Sequence, residues 1–157
     1  MKSTIERRGT GLTHCNVNFS AGGYTLFAPQ TGNGKVILID IKGDIVHEWN
    51  MPVRPGRDAV ILPNGNLGYN GSASPISANL YPAWDIWHGG HFIEATPDGD
   101  LVWQFEDIFH HHDAQWLENG NILYAAATEL PDDVFYHKPS NYSDTIKEVN
   151  REGETVC

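Results

Sequence analysis

Cations are scarce in this chain. Ten Lys and Arg stand against twenty Asp and Glu in 157 residues, a formal charge of −10. A nucleic-acid partner needs cations that displace phosphate counterions, and no basic block here is longer than Arg7-Arg8, which argues against that class. There are only two cysteines, Cys15 and Cys157, too few for a disulfide framework. No apolar run approaches the ~20 residues of a membrane-spanning helix, and Met1–Arg8 lacks the apolar core of a secretion signal. These features predict a cytoplasmic protein with no membrane partner, or a periplasmic one if a leader has been removed. Helical periodicity is weak throughout.

What the sequence does have is an internal repeat. Arg57-Asp58-Ala59-Val60-Ile61-Leu62-Pro63-Asn64-Gly65-Asn66-Leu67-Gly68-Tyr69 returns as His112-Asp113-Ala114-Gln115-Trp116-Leu117-Glu118-Asn119-Gly120-Asn121-Ile122-Leu123-Tyr124. A second unit precedes each copy: Asp40–Trp49 matches Ala95–Phe105, and a third copy starts at Val149. The spacing of about 55 residues is that of propeller blades. Asn-Gly and Asp-Gly dipeptides between short β-rich runs supply the positive φ of tight hairpins.

The expected fold is therefore all-β: a partial β-propeller of two to two and a half four-stranded antiparallel blades. Residues 1–21 form an N-terminal lead and 22–157 the arc, with an outer strand pair in 22–50 and blades in 57–106 and 112–157, the last cut in its final strand. Strands are expected near 59–62, 66–70, 91–95 and 101–105, then near 114–117, 121–126 and 145–150, with another starting at Glu154. An arc this short cannot close, since propellers need at least about four blades. The missing part is expected from other polypeptides or from self-association. Two long loops, 71–90 and 128–144, carry Trp84, Trp87, Phe135 and Tyr136, either as partner-facing surface or as caps on a blade edge.

Gly23-Tyr24-Thr25-Leu26-Phe27-Ala28-Pro29, Leu38-Ile39-Asp40 with Val46-His47-Glu48-Trp49, and His111-His112-Asp113-Ala114-Gln115-Trp116-Leu117-Glu118-Asn119-Gly120-Asn121 together resemble arylsulfotransferase-family propellers across residues 22–157. That resemblance implies sulfuryl transfer between small phenolic substrates through a sulfated histidine, with no cofactor. It places His112, and beside it His111, at the family's histidine position, where the preceding blade holds Arg57. In a propeller, residues just before successive inner strands converge on one mouth of the channel. There an imidazole acts as nucleophile and an arginine stabilises charge growing on the sulfuryl oxygens. Strand alternation sends His111 and His112 to opposite faces, so at most one of the two is expected in the channel. Asp58 and Asp113 are expected to anchor backbone or neighbouring blades.

Two further readings use the same scaffold. His88, His91 and His111 or His112 also suit a transition metal (zinc, copper or iron) in a hydrolase or lyase, so His88 and His91 join the candidate site. A non-catalytic assembly platform would instead use the aromatic loops. His14 and His47 are read as packing residues and Cys15 as a small buried one.

Overall fold

The computed structural model describes residues 14–16, 18–72, 89–131 and 142–157. Among these residues it is all-β, with ten strands in three antiparallel sheets, none closed on itself. The first sheet is β1 (Thr25–Phe27), β2 (Lys35–Ile39) and β3 (Ile45–Asn50), in chain order. The second is β4 (Pro55–Ile61), β5 (Leu67–Ser72), β6 (Gly90–Ala95) and β7 (Leu101–Glu106). The third is β8 (His110–Trp116), β9 (Ile122–Glu129) and β10 (Tyr142–Val149). The last segment returns along β10, through a Val149–Thr155 bridge and a Val156 N–H donating to the Glu148 carbonyl at 2.8 Å. Among the described residues no helix is long and apolar enough to cross a membrane.

The repeat maps onto these sheets with its turns in register. Gly65 (φ 85°) and Gly120 (φ 87°) supply the left-handed residue of equivalent turns. In each, the glycine N–H donates to a leucine carbonyl: Gly65 to Leu62 at 2.9 Å, Gly120 to Leu117 at 3.0 Å. Two boundaries differ from the sequence reading. The first sheet has three strands rather than a pair, because Thr25–Phe27 pairs with Ile37–Ile39. Strands β4 and β8 start at Pro55 and His110, four residues earlier than the apolar runs at Ala59 and Ala114 indicate, because the ladder resumes beyond an irregularity with the pairs Pro55–Gly71 and His110–Ala126.

Strands β5 and β6 are buried at every position, as strands covered on both faces must be. One face carries Leu67, Tyr69, Ile93 and Ala95 and packs on Val36 and Trp49 of the first sheet and on Met51 just after it. The other carries Phe92, which packs with Ile122, Tyr124, Ala126 and Val149 of the third. The second sheet is thus the middle layer of three. Burial of each such side chain contributes roughly 1.5–3 kcal/mol. Tryptophans tie the layers at matching places: Trp49 donates its indole N–H to the Thr96 carbonyl (3.1 Å), and Trp103 to that of Arg151 (2.7 Å). His47 completes the first tie, with Nε2 2.7 Å from the Pro97 carbonyl and its ring 4.2 Å from Trp49.

Candidate functional site

Strands β4 and β8 leave their ladders at the same point of the repeat. On β4, pairing jumps from Pro55–Gly71 to Ala59–Tyr69; on β8, from His110–Ala126 to Ala114–Tyr124. Three residues on each of these strands therefore oppose one on its neighbour: Gly56-Arg57-Asp58 and His111-His112-Asp113. Bulges of this kind re-aim side chains. Arg57 and His112 occupy equivalent positions in them.

His112 stands at φ 62°, one of two non-glycine residues in the left-handed region among those described. Such backbone costs about 1–3 kcal/mol and persists only where the surroundings impose it. Its consequence overturns the alternation expected from a regular strand. His111 and His112 do not diverge: their Nδ1 atoms are 2.8 Å apart and their rings meet edge-on at 5.0 Å. His111 is buried, while His112 is exposed. On its other side His111 places Nε2 3.3 Å from Asp144 Oδ1, off the axis of an ideal hydrogen bond. Burial pushes the His111 imidazole below its ordinary range, and Asp144 partly offsets this.

Behind the pair lies His110, fully buried and edge-on to Phe92 (4.9 Å) and Tyr124 (5.5 Å). The Asp113 backbone approaches its ring, yet neither ring nitrogen has a hydrogen-bond partner among the described residues. Burial, above all, pushes it down to about 4, and the charge of nearby Arg57 acts in the same direction. His110 is therefore a neutral packing residue at neutral pH. A Cβ on Gly89 would collide with this ring and crowd Asn70, so glycine is the residue that fits there. The Asn70 carboxamide, also buried, lies beside Asp58 without a hydrogen bond among the described residues. Burial and the nearby Asp113 charge raise Asp58 above the usual carboxylate range. The two aspartates thus feel each other across the space between β4 and β8, where Asp58, Ala114 and Trp116 line a cavity of about 270 Å³.

Of the candidates named from sequence, Arg57, His111 and His112 fall in these two bulges. His91 does not join them. It shares a face of β6 with Ile93, with Nε2 3.3 Å from Gln104 Oε1 and Nδ1 3.4 Å from Glu106 Oε1. His88 and most of both aromatic loops lie outside the described residues. Among the described residues no group of three His, Cys, Asp or Glu is placed to hold a metal. Cys15 is half-buried rather than buried, with Sγ 3.6 Å from Ser20 Oγ. Sequence reasoning missed Asp144, which lies at the end of an expected long loop and has no partner motif, and Asn70, which reads as the last residue of the strand expected near 66–70.

No family model and no curated protein matches this chain.

Proposed function

We propose that the three sheets are consecutive blades of a β-propeller and that the chain performs sulfuryl transfer between phenolic substrates, with His112 as nucleophile. The observation that carries this reading is the strained His112, held against His111 in a bulge that recurs with Arg57 one sheet earlier. The resemblance to arylsulfotransferase-type propellers supplies the reaction class.

The contacts define a proton order. With the His111 proton on Nε2, where the Asp144 carboxylate stands 3.3 Å away, neutral His111 presents a lone pair on Nδ1, which accepts from His112 Nδ1–H. The lone pair of His112 then lies on Nε2. Attack by Nε2 on the sulfur of an aryl sulfate forms an N–S bond and breaks the S–O bond to the phenol, which leaves as phenolate and takes a proton from water. The positive charge appearing on His112 is shared with His111 through the 2.8 Å contact and is stabilised by Asp144. Arg57 offers a cation to the sulfuryl oxygens. A second phenol, passing its proton to the hydroxide left by that step, attacks the sulfur; the new S–O bond forms as the N–S bond breaks, and His112 returns to its neutral form.

The test is release of phenol from an aryl sulfate in the presence of a second phenol, with mass spectrometry of the protein after donor alone. We expect acceptor-dependent turnover, a sulfuryl adduct on the His112 peptide, and loss of both in His112→Ala with the fold retained. Unchanged turnover in His112→Ala would refute the assignment.

A further inference from the structure

The repeat shows which residue suffices at each position for packing, and one buried place departs from it. Asn70 follows Tyr69 on β5 as Ala125 follows Tyr124 on β9. The register is the same in both sheets, with Tyr69 opposite Ala59 and Tyr124 opposite Ala114. Alanine therefore serves at this point of the third sheet. The second sheet holds a carboxamide there, 1% exposed, whose Oδ1 and Nδ2 have no hydrogen-bond partner among the described residues. A buried amide left unsatisfied is costly, so packing alone does not account for Asn70.

Its neighbour is Asp58, which makes no ion pair among the described residues. Burial and the charge of Asp113 raise this carboxyl, and they outweigh its own backbone N–H, the Asn70 amide and nearby Arg57. The negative charge is thus left under-compensated. Asp58 lines the cavity of about 270 Å³ between β4 and β8, where Val60 and Leu62 from one sheet and Ala114 and Trp116 from the other give apolar walls. Trp116 is held edge-on to Trp103, ring centroids 5.9 Å apart, so this wall is built before any ligand arrives.

We infer that this cavity binds a small organic ammonium ion, with its charged head on Asp58 and its apolar body against Val60 and Trp116. A carboxylate beside apolar walls matches a ligand that combines one positive charge with a hydrocarbon body, and an indole wall favours a cation. An ammonium brings three N–H donors and supplies the charge that Asp58 lacks. Asn70 is the positioning residue: it stands behind the carboxylate and turns it toward the head. A bare metal ion fits less well, because among the described residues no group of three His, Cys, Asp or Glu is placed to hold one. The site uses neither His111 nor His112 and stands independently of sulfuryl transfer.

Titration calorimetry of the full chain tests this, with phenethylammonium as probe, 2-phenylethanol as its neutral counterpart, and potassium and calcium chlorides as inorganic cations. Phenethylammonium should bind one-to-one and saturably, at least about tenfold tighter than 2-phenylethanol. Asp58→Asn should weaken it by roughly 10- to 100-fold, the range of a hydrogen bond to a charged group. Val60→Phe, at a position already 42% exposed, should fill the cavity and abolish binding with the fold kept. Asn70→Ala, the residue the repeat uses, should weaken binding several-fold while its urea midpoint stays level or rises. That split separates a positioning role from a structural one. Absence of saturable binding, equal affinity for the neutral counterpart, indifference to Asp58→Asn, or displacement of the probe by stoichiometric calcium would each overturn the inference. So would an Asn70→Ala chain that loses stability and keeps its affinity.

Discussion

At the scale of single residues, the decisive feature is one backbone angle. The sequence shows His111 and His112 side by side and resembles a family with a histidine at that position. Period-two alternation then separates the rings, and only the left-handed φ of His112 brings them together. Nothing in a run of three histidines signals which of them adopts that angle, so the pair was legible and its geometry was not. Asp144 was invisible for another reason: it reaches His111 across 33 residues, through the pairing of β9 with β10. Its role is separable from simple support. Asp144→Asn should lower kcat by roughly 10- to 100-fold, short of the ~10²–10⁴ that a full acid–base residue contributes. Asp144 raises the affinity of His111 for a proton. Its loss should therefore shift the acid limb of the pH–rate profile to lower pH, which a purely structural loss would not do.

At the scale of elements, the repeated Asn-Gly-Asn hairpin was readable from turn chemistry. The acid that fastens it was not. Glu94 lies 28 residues beyond Asn66 and reads in sequence as a polar residue in an apolar strand. In the fold it is buried and binds Asn64, Asn66 and Arg151. Burial would push its carboxyl up, but these three partners outweigh that and hold it below the usual range. Its removal leaves two amides and a guanidinium without their acceptor. Glu94→Ala should accordingly cost about 2–4 kcal/mol, read as a lower urea midpoint with an unchanged slope. The same contact explains why the third sheet holds its place on the second: Arg151 also lies over the Trp103 ring at 4.4 Å. Close packing elsewhere leaves no slack. A Cβ on Gly68 would stand 2.9 Å from the Trp116 indole.

At the scale of the whole molecule, acid should loosen the contact between the second and third layers. His110 sits between Phe92 of one and Tyr124 of the other, with its proton affinity pushed down to about 4. The unfolded chain takes up that proton near pH 6.5 and the folded chain does not, so the unfolded state binds more protons between these values. Stability is therefore complete above about pH 6.5 and falls as pH drops toward about 4, by roughly 3 kcal/mol in all. Asp107, held low by Lys147, Phe109 and Tyr124 against the effect of burial, adds to the loss only below the usual aspartate range. His110→Phe should flatten the dependence between pH 6.5 and 4, as measured by urea midpoints at both ends. Three-layer order was implicit in the repeat, since each unit must bury its faces on its neighbours. Which faces remain open needed the register.

The Asn-Gly turns also give the molecule a chemical age. A following glycine, with no Cβ, leaves its backbone nitrogen unhindered for attack on the asparagine side chain, and the amide becomes a carboxylate. At Asn64 and Asn119 that change would set a new negative charge against Glu94 and Glu148, whose bonds to these amides fasten the hairpins. An old molecule would carry a stronger negative charge than a new one, and its turns would repel the acids that once held them.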